Sequence, residues 1–66
     1  MNDDLWFVYE DGYVVSVFED RKTALKKLNT YKAEDPDTEF ELVCITADEL
    51  TDYPEEFDLA QDAGLA

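Results

Sequence analysis

The chain has 66 residues, with 18 acids against five bases, a formal net charge of −13, one cysteine and no histidine. These numbers exclude an internal disulfide and a Cys/His zinc site, and a field of this sign repels nucleic acid and anionic membrane. A chain this short buries only about 60% of its unfolded surface, so one small domain is the limit.

Leu5-Trp6-Phe7-Val8-Tyr9 is rich in strand-forming residues, and so is Tyr13-Val14-Val15-Ser16-Val17-Phe18. Asp11-Gly12 stands between them, and a type I′ turn needs two central residues that accept positive φ. The spacing predicts a hairpin pairing Glu10 with Tyr13, Val8 with Val15 and Trp6 with Val17. That register puts Leu5, Phe7, Tyr9, Val14, Ser16 and Phe18 on the opposite face. Both faces are largely apolar, so each needs a cover.

Asp20 is placed to cap a helix running from about Arg21 to Lys32. Ala24, Leu25, Leu28 and Tyr31 form one apolar stripe on it. Asp35-Pro36-Asp37 ends the helix. Glu39 to Ile45 alternates as a third strand, with Phe40, Leu42 and Cys44 toward the helix and Glu39, Glu41, Val43 and Ile45 away from it. A right-handed crossover sets this strand beside the first. The fold class is therefore α+β: a small β-β-α-β domain with a three-stranded antiparallel sheet ordered 2-1-3 and one helix on one face. Thr46-Ala47-Asp48-Glu49 reads as a capping box opening a short helix to about Asp52. Residues 1–52 are thus expected to be the domain and 53–66 an acidic, partly ordered tail. Pro54 could start a further turn, and disorder is expected beyond Gln61.

Little here supports catalysis. Histidine is absent, Ser16 lies mid-strand, and Cys44 alternates with core positions as a small buried hydrophobe would. No catalytic residue, metal ligand or cofactor is assigned, and the chain is read as a non-enzyme. Asp35 to Glu41 begins like a calcium loop, but Phe40 stands where the loop needs glycine, so a solvated turn fits better. The acidic start at Asn2-Asp3-Asp4 and the lack of a long apolar run predict neither a secretory signal nor a membrane span. Cytoplasmic location follows as the expectation.

The charges are sorted along the chain. Arg21, Lys22, Lys26, Lys27 and Lys32 share one window, and from Glu34 onward there are twelve acids and no base. Glu39 and Glu41 on one strand face lie about 7 Å apart, and helix residues three or four apart lie about 5–6 Å apart. Nucleic-acid strands carry a phosphate per roughly 3.4 Å of axis, so acids at these spacings imitate a phosphate row. The candidate partner-binding residues are Glu39, Glu41, Asp48, Glu49, Asp52, Glu55 and Glu56, with Tyr53 and Phe57 as apolar anchors. Tyr53, Phe57 and Leu59 have a second reading, in which they fold back over the open face of the hairpin. The acids, likewise, also serve solubility.

The acidic β-β-α-β layout over Leu5–Ile45 resembles small proteins that bacteriophages make to disable host machines. One such group is the β-β-α-β inhibitor of bacterial RNA polymerase with its negative strip; another is the DNA-mimic and anti-CRISPR class. The resemblance rests on layout and charge, so it transfers no residue roles. It implies a phage or mobile-element protein in the host cytoplasm, covering the basic surface of a nucleic-acid-handling protein without touching nucleic acid or membrane itself. The chain is expected as a monomer or weak homodimer. The alternative is a small adaptor or assembly protein that pairs through a sheet edge or the Trp6/Val8/Val15/Val17 face. Truncation after Asp52 is expected to harm the first role and spare the second.

Overall fold

The structure is a computed structural model that describes residues 4–65. Most of the acidic N-terminal stretch, Met1 to Asp3, lies outside the described residues, as does Ala66. The elements are β1 (Leu5–Glu10), β2 (Tyr13–Phe18), α1 (Arg21–Glu34), β3 (Phe40–Ile45), α2 (Ala47–Leu50) and α3 (Pro54–Asp62). The three strands form one antiparallel sheet in the order β2-β1-β3, as the crossover argument requires. Asp11 and Gly12 take φ of 50° and 88°, which is the left-handed pair a two-residue hairpin turn needs.

The hairpin register departs from the simple one. Glu10 pairs with Tyr13 and Tyr9 with Val14, but Val8 pairs with Ser16, Phe7 with Val17 and Trp6 with Phe18. One extra residue, Val15, is accommodated in β2 as a bulge, and a one-residue slip sends every following side chain to the other face. The predicted Val8–Val15 and Trp6–Val17 pairs are therefore not formed. Phe18 packs on the α1 side, Ser16 reaches the Tyr31 hydroxyl there at 2.7 Å, and Val17 joins the opposite core. The bulge resolves a conflict: strict alternation would have sent the polar Ser16 into the apolar core behind Phe7.

Two apolar clusters sandwich the sheet. On the α1 side, Val8, Leu28 and Phe40 are buried, with Phe18, Leu25, Tyr31 and Leu42 packed around them. The Tyr31 and Phe40 rings stack with centroids 5.3 Å apart. Asp20 caps α1 by accepting hydrogen bonds from the Thr23 backbone N–H and hydroxyl. On the other side, Leu5, Phe7, Ile45, Leu50 and Ala60 are buried, and Val14, Val17, Val43, Phe57 and Leu65 pack against them. Phe7 and Val8 are neighbours in β1 that point to opposite faces, and both are fully buried, as suits a central strand with two covered faces.

The second cover is α3, drawn from the segment expected to be an acidic tail. Pro54 opens it at the first position. Disorder beyond Gln61 is not what the structure shows: α3 ends in a Schellman motif. Gly64 takes φ of 78°, its N–H donates to the Gln61 carbonyl, and the Leu65 N–H reaches back to the Ala60 carbonyl. Leu65 then packs on the core. At α2 the predicted capping box is not formed: the Thr46 side chain caps no backbone N–H, and its hydroxyl instead donates to Glu49 Oε1 at 3.0 Å.

Candidate partner-binding surface

The five bases all lie on α1 and all are exposed. Arg21 sits over the Trp6 ring at 5.9 Å and Lys27 over the Tyr31 ring at 5.3 Å. The acidic helices α2 and α3 belong to the opposite layer of the sheet, where Leu50 and Ala60 are buried behind Phe7. Charge segregation along the sequence thus becomes segregation across the sheet.

Tyr9 is the junction of the acidic layer. It pairs across strands with Glu41, and its hydroxyl donates a hydrogen bond to Glu56 Oε2. Burial first, then the bond to Glu56, pushes the Tyr9 phenol far above its ordinary value; the charge of Glu56 and nearby Tyr53 and Glu55 add to this. The Asp11 N–H donates to the Glu39 carbonyl at 3.0 Å, which ties the hairpin turn to the start of β3. Tyr9, Asp11, Gly12, Glu39 and Glu41 line an open hollow of about 250 Å³. The hollow remains because α3 lies against the β2 side of the sheet and leaves the Glu41 flank uncovered.

The predicted acids therefore fall into two groups. Glu39, Glu41, Glu55 and Tyr53 gather around Tyr9, and all four are exposed. Asp48 and Glu49 are exposed at the other end of β3, beyond Ile45, and Asp52 is exposed in the link from α2 to α3. Two assigned residues are not open contact groups. Glu56 is only 9% exposed and engaged by Tyr9, and Phe57 packs into the core. Their place on the inward side of α3 explains both. Leu59 is half-buried, whereas Tyr53 keeps 41% exposure, so the fold-back reading holds for Phe57 and the anchor reading fits only Tyr53.

Sequence reasoning missed Tyr9 and Asp11. The cross-strand partners Tyr9–Glu41 and Asp11–Glu39 would have followed from fixing the β1–β3 register. Cys44 is also corrected. It faces the α1 side but is exposed, because β3 is an edge strand and α1 packs on Phe40 and Leu42 rather than on its far end. Partial desolvation, then the carboxylates of Asp4 and Glu49, push its thiol pKa up, away from a reactive thiolate.

Among the described residues no group of three or more Asp, Glu, Cys or His is arranged to hold a metal ion, and no helix is long and apolar enough to cross a membrane. No protein-family model, curated protein or solved structure matches the chain.

Proposed function

We propose that this protein is a non-enzymatic acidic binding protein, of the kind phages and mobile elements encode. It inhibits or modulates a host nucleic-acid-handling protein, such as an RNA polymerase, a nuclease or a CRISPR effector, by covering a basic nucleic-acid-binding surface. The observation that carries this reading is the sorting of charge across the sheet: every base is on α1, while exposed Glu39, Glu41, Glu55 and Tyr53 surround Tyr9 on the other layer. Charge gives such a surface its association rate and salt dependence, and an exposed aromatic supplies short-range affinity. Glu56 and Phe57 serve this surface from behind, by holding α3 to the sheet.

The test is capture of bacterial lysate proteins at low and high salt, with mass spectrometry of the eluate, followed by kinetics on the captured partner. Glu41→Lys with Glu55→Lys is expected to slow association at least tenfold at low salt and to flatten the salt dependence. A partner that binds equally well at all salt concentrations and ignores both reversals would sink the reading.

The adaptor alternative is narrowed by the fold. The Trp6/Val8/Val15/Val17 face does not exist as an open surface, since Val8 is buried under α1 and Val17 lies in the opposite core. What favours assembly is the exposed ring of Tyr13, 74% accessible beside the hairpin turn. Sedimentation at several concentrations tests it: a concentration-dependent dimer abolished by Tyr13→Lys supports assembly.

A further inference from the structure

The two edges of the sheet are not equivalent. The β2 edge is interrupted by the bulge at Val15, which breaks the even spacing an added strand needs. The β3 edge runs in unbroken register with β1 from Phe40 to Ile45. Antiparallel pairs alternate between hydrogen-bonded and non-bonded. The Asp11 N–H donates to the Glu39 carbonyl, so Glu39, Glu41, Val43 and Ile45 turn their backbone groups toward β1. Phe40, Leu42 and Cys44 therefore turn their N–H and C=O groups to the open edge. Glu39 and Glu41 are exposed beside that edge, at the hollow they share with Asp11.

We propose that the β3 edge accepts an extended basic segment of a partner protein as a fourth strand, giving the order 2-1-3-partner. This rests on the function proposed above and specifies how the acidic layer engages its target. Backbone groups of the segment pair with those of Phe40, Leu42 and Cys44. Side chains of an added strand alternate between faces. Those opposite Glu39 and Glu41 are lysine or arginine, with the hollow receiving one of them, and the one opposite Leu42 is apolar. Basic residues are required at alternate positions, because the neighbouring face carries the cations of α1. A second copy of this chain is disfavoured: antiparallel pairing of β3 with itself about Leu42 sets Glu39 opposite Ile45 and Glu41 opposite Val43, so no acid meets a base, and both molecules carry −13.

The probe is a heptapeptide alternating lysine with valine or threonine. Its controls are a serine-for-lysine version and a lysine–proline peptide of equal charge that cannot form a strand. Amide hydrogen exchange on the full chain gives the readout. Before addition, the amides of Leu42 and Cys44 exchange faster than those of Glu41 and Val43. Saturation with the alternating peptide slows Leu42 and Cys44 at least tenfold, and both controls bind at least tenfold more weakly. A synthetic full-length chain with an ester in place of the Leu42 N–H keeps the circular dichroism spectrum and loses at least tenfold in affinity; Leu42→Pro is the second variant. Salt-sensitive binding with no slowing at Leu42 and Cys44 overturns the strand proposal and leaves the acidic-surface reading standing. Equal binding of the serine peptide overturns the proposal's requirement for charge and the acidic-surface reading with it.

Discussion

The Tyr9–Glu56 hydrogen bond joins residues 47 apart and fastens α3 to the central strand. Removing one partner of a hydrogen bond so that a buried donor or acceptor is left unsatisfied costs about 1–3 kcal/mol, and the Tyr9–Glu56 bond is part-buried. Tyr9→Phe and Glu56→Ala are each expected to lose that much by urea denaturation, and Glu56→Gln less, since an amide oxygen still accepts the bond. The sign of the pH effect follows from the raised phenol. The folded chain holds this proton more tightly than the unfolded chain, so its stabilisation is whole below about pH 10, the ordinary tyrosine value. It is lost as pH climbs from there toward the folded value. Stability measured from pH 8 upward is expected to fall less steeply in Tyr9→Phe; equal slopes would rule out Tyr9 as the titrating group. Cys44 gives a second residue-scale expectation. Its thiol reacts with a disulfide reagent in native protein, though more slowly at pH 8 than an unhindered peptide thiol; protection until unfolding would contradict its exposure.

At the scale of elements, the bulge makes a selective expectation. Deleting Val15 leaves every observed β1–β2 pair in phase, whereas deleting Val17 removes the partner of Phe7 from the core. One kcal/mol moves the melting temperature of a domain this small by roughly 4–8 °C. The Val15 deletion is expected to shift it by under about 8 °C and the Val17 deletion by more, measured by circular dichroism. Much of the fold was legible in the residues that carry local instructions. Asp11-Gly12 marked the turn, Asp20 the cap, and the Ala24-Leu25-Leu28-Tyr31 stripe the face of α1. The bulge was not legible, because Val14 and Val15 are identical neighbours and nothing local says which one leaves the ladder. The docking of α3 was half legible: Phe57 could be read as a partner anchor or as folding back over the hairpin, and only the sheet, with Ala60 and Leu65 against it, decides for the second. Of the candidate surface, the exposed acids were legible from charge alone. The burial of Glu56 was not, since only the sheet supplies its tyrosine.

For the molecule as a whole, α3 is structural as well as acidic. Removing residues after Asp52 uncovers Leu5, Phe7 and Ile45 and discards Phe57, Ala60 and Leu65. A fully buried large apolar side chain contributes about 1.5–3 kcal/mol, and cores of this size rarely supply more than about 3–5 kcal/mol in total. The truncated chain is therefore expected to be unfolded by circular dichroism, and an adaptor role would be lost with the fold rather than spared. Net charge then gives stability and binding opposite responses to salt. Raising ionic strength from 0.01 M to physiological shortens the screening length from about 30 Å to about 8 Å. Self-repulsion in a chain of −13 weakens, so the urea midpoint rises, while affinity for a basic partner falls. A titration in which both move the same way would separate the charge from the function proposed for it.

The placement of the one tryptophan has a spectroscopic consequence. Trp6 lies on the α1 side of β1, half-buried under Arg21, while Tyr9 marks the α3 side. Tryptophan emission therefore watches one layer, and in a chain carrying Tyr13→Phe and Tyr31→Phe the remaining tyrosines, Tyr9 and Tyr53, watch the other. Two-state unfolding demands that the two curves superimpose. If α3 lifts from the sheet first, the tyrosine signal departs while the indole emission stays native, and each layer is followed by its own colour of light.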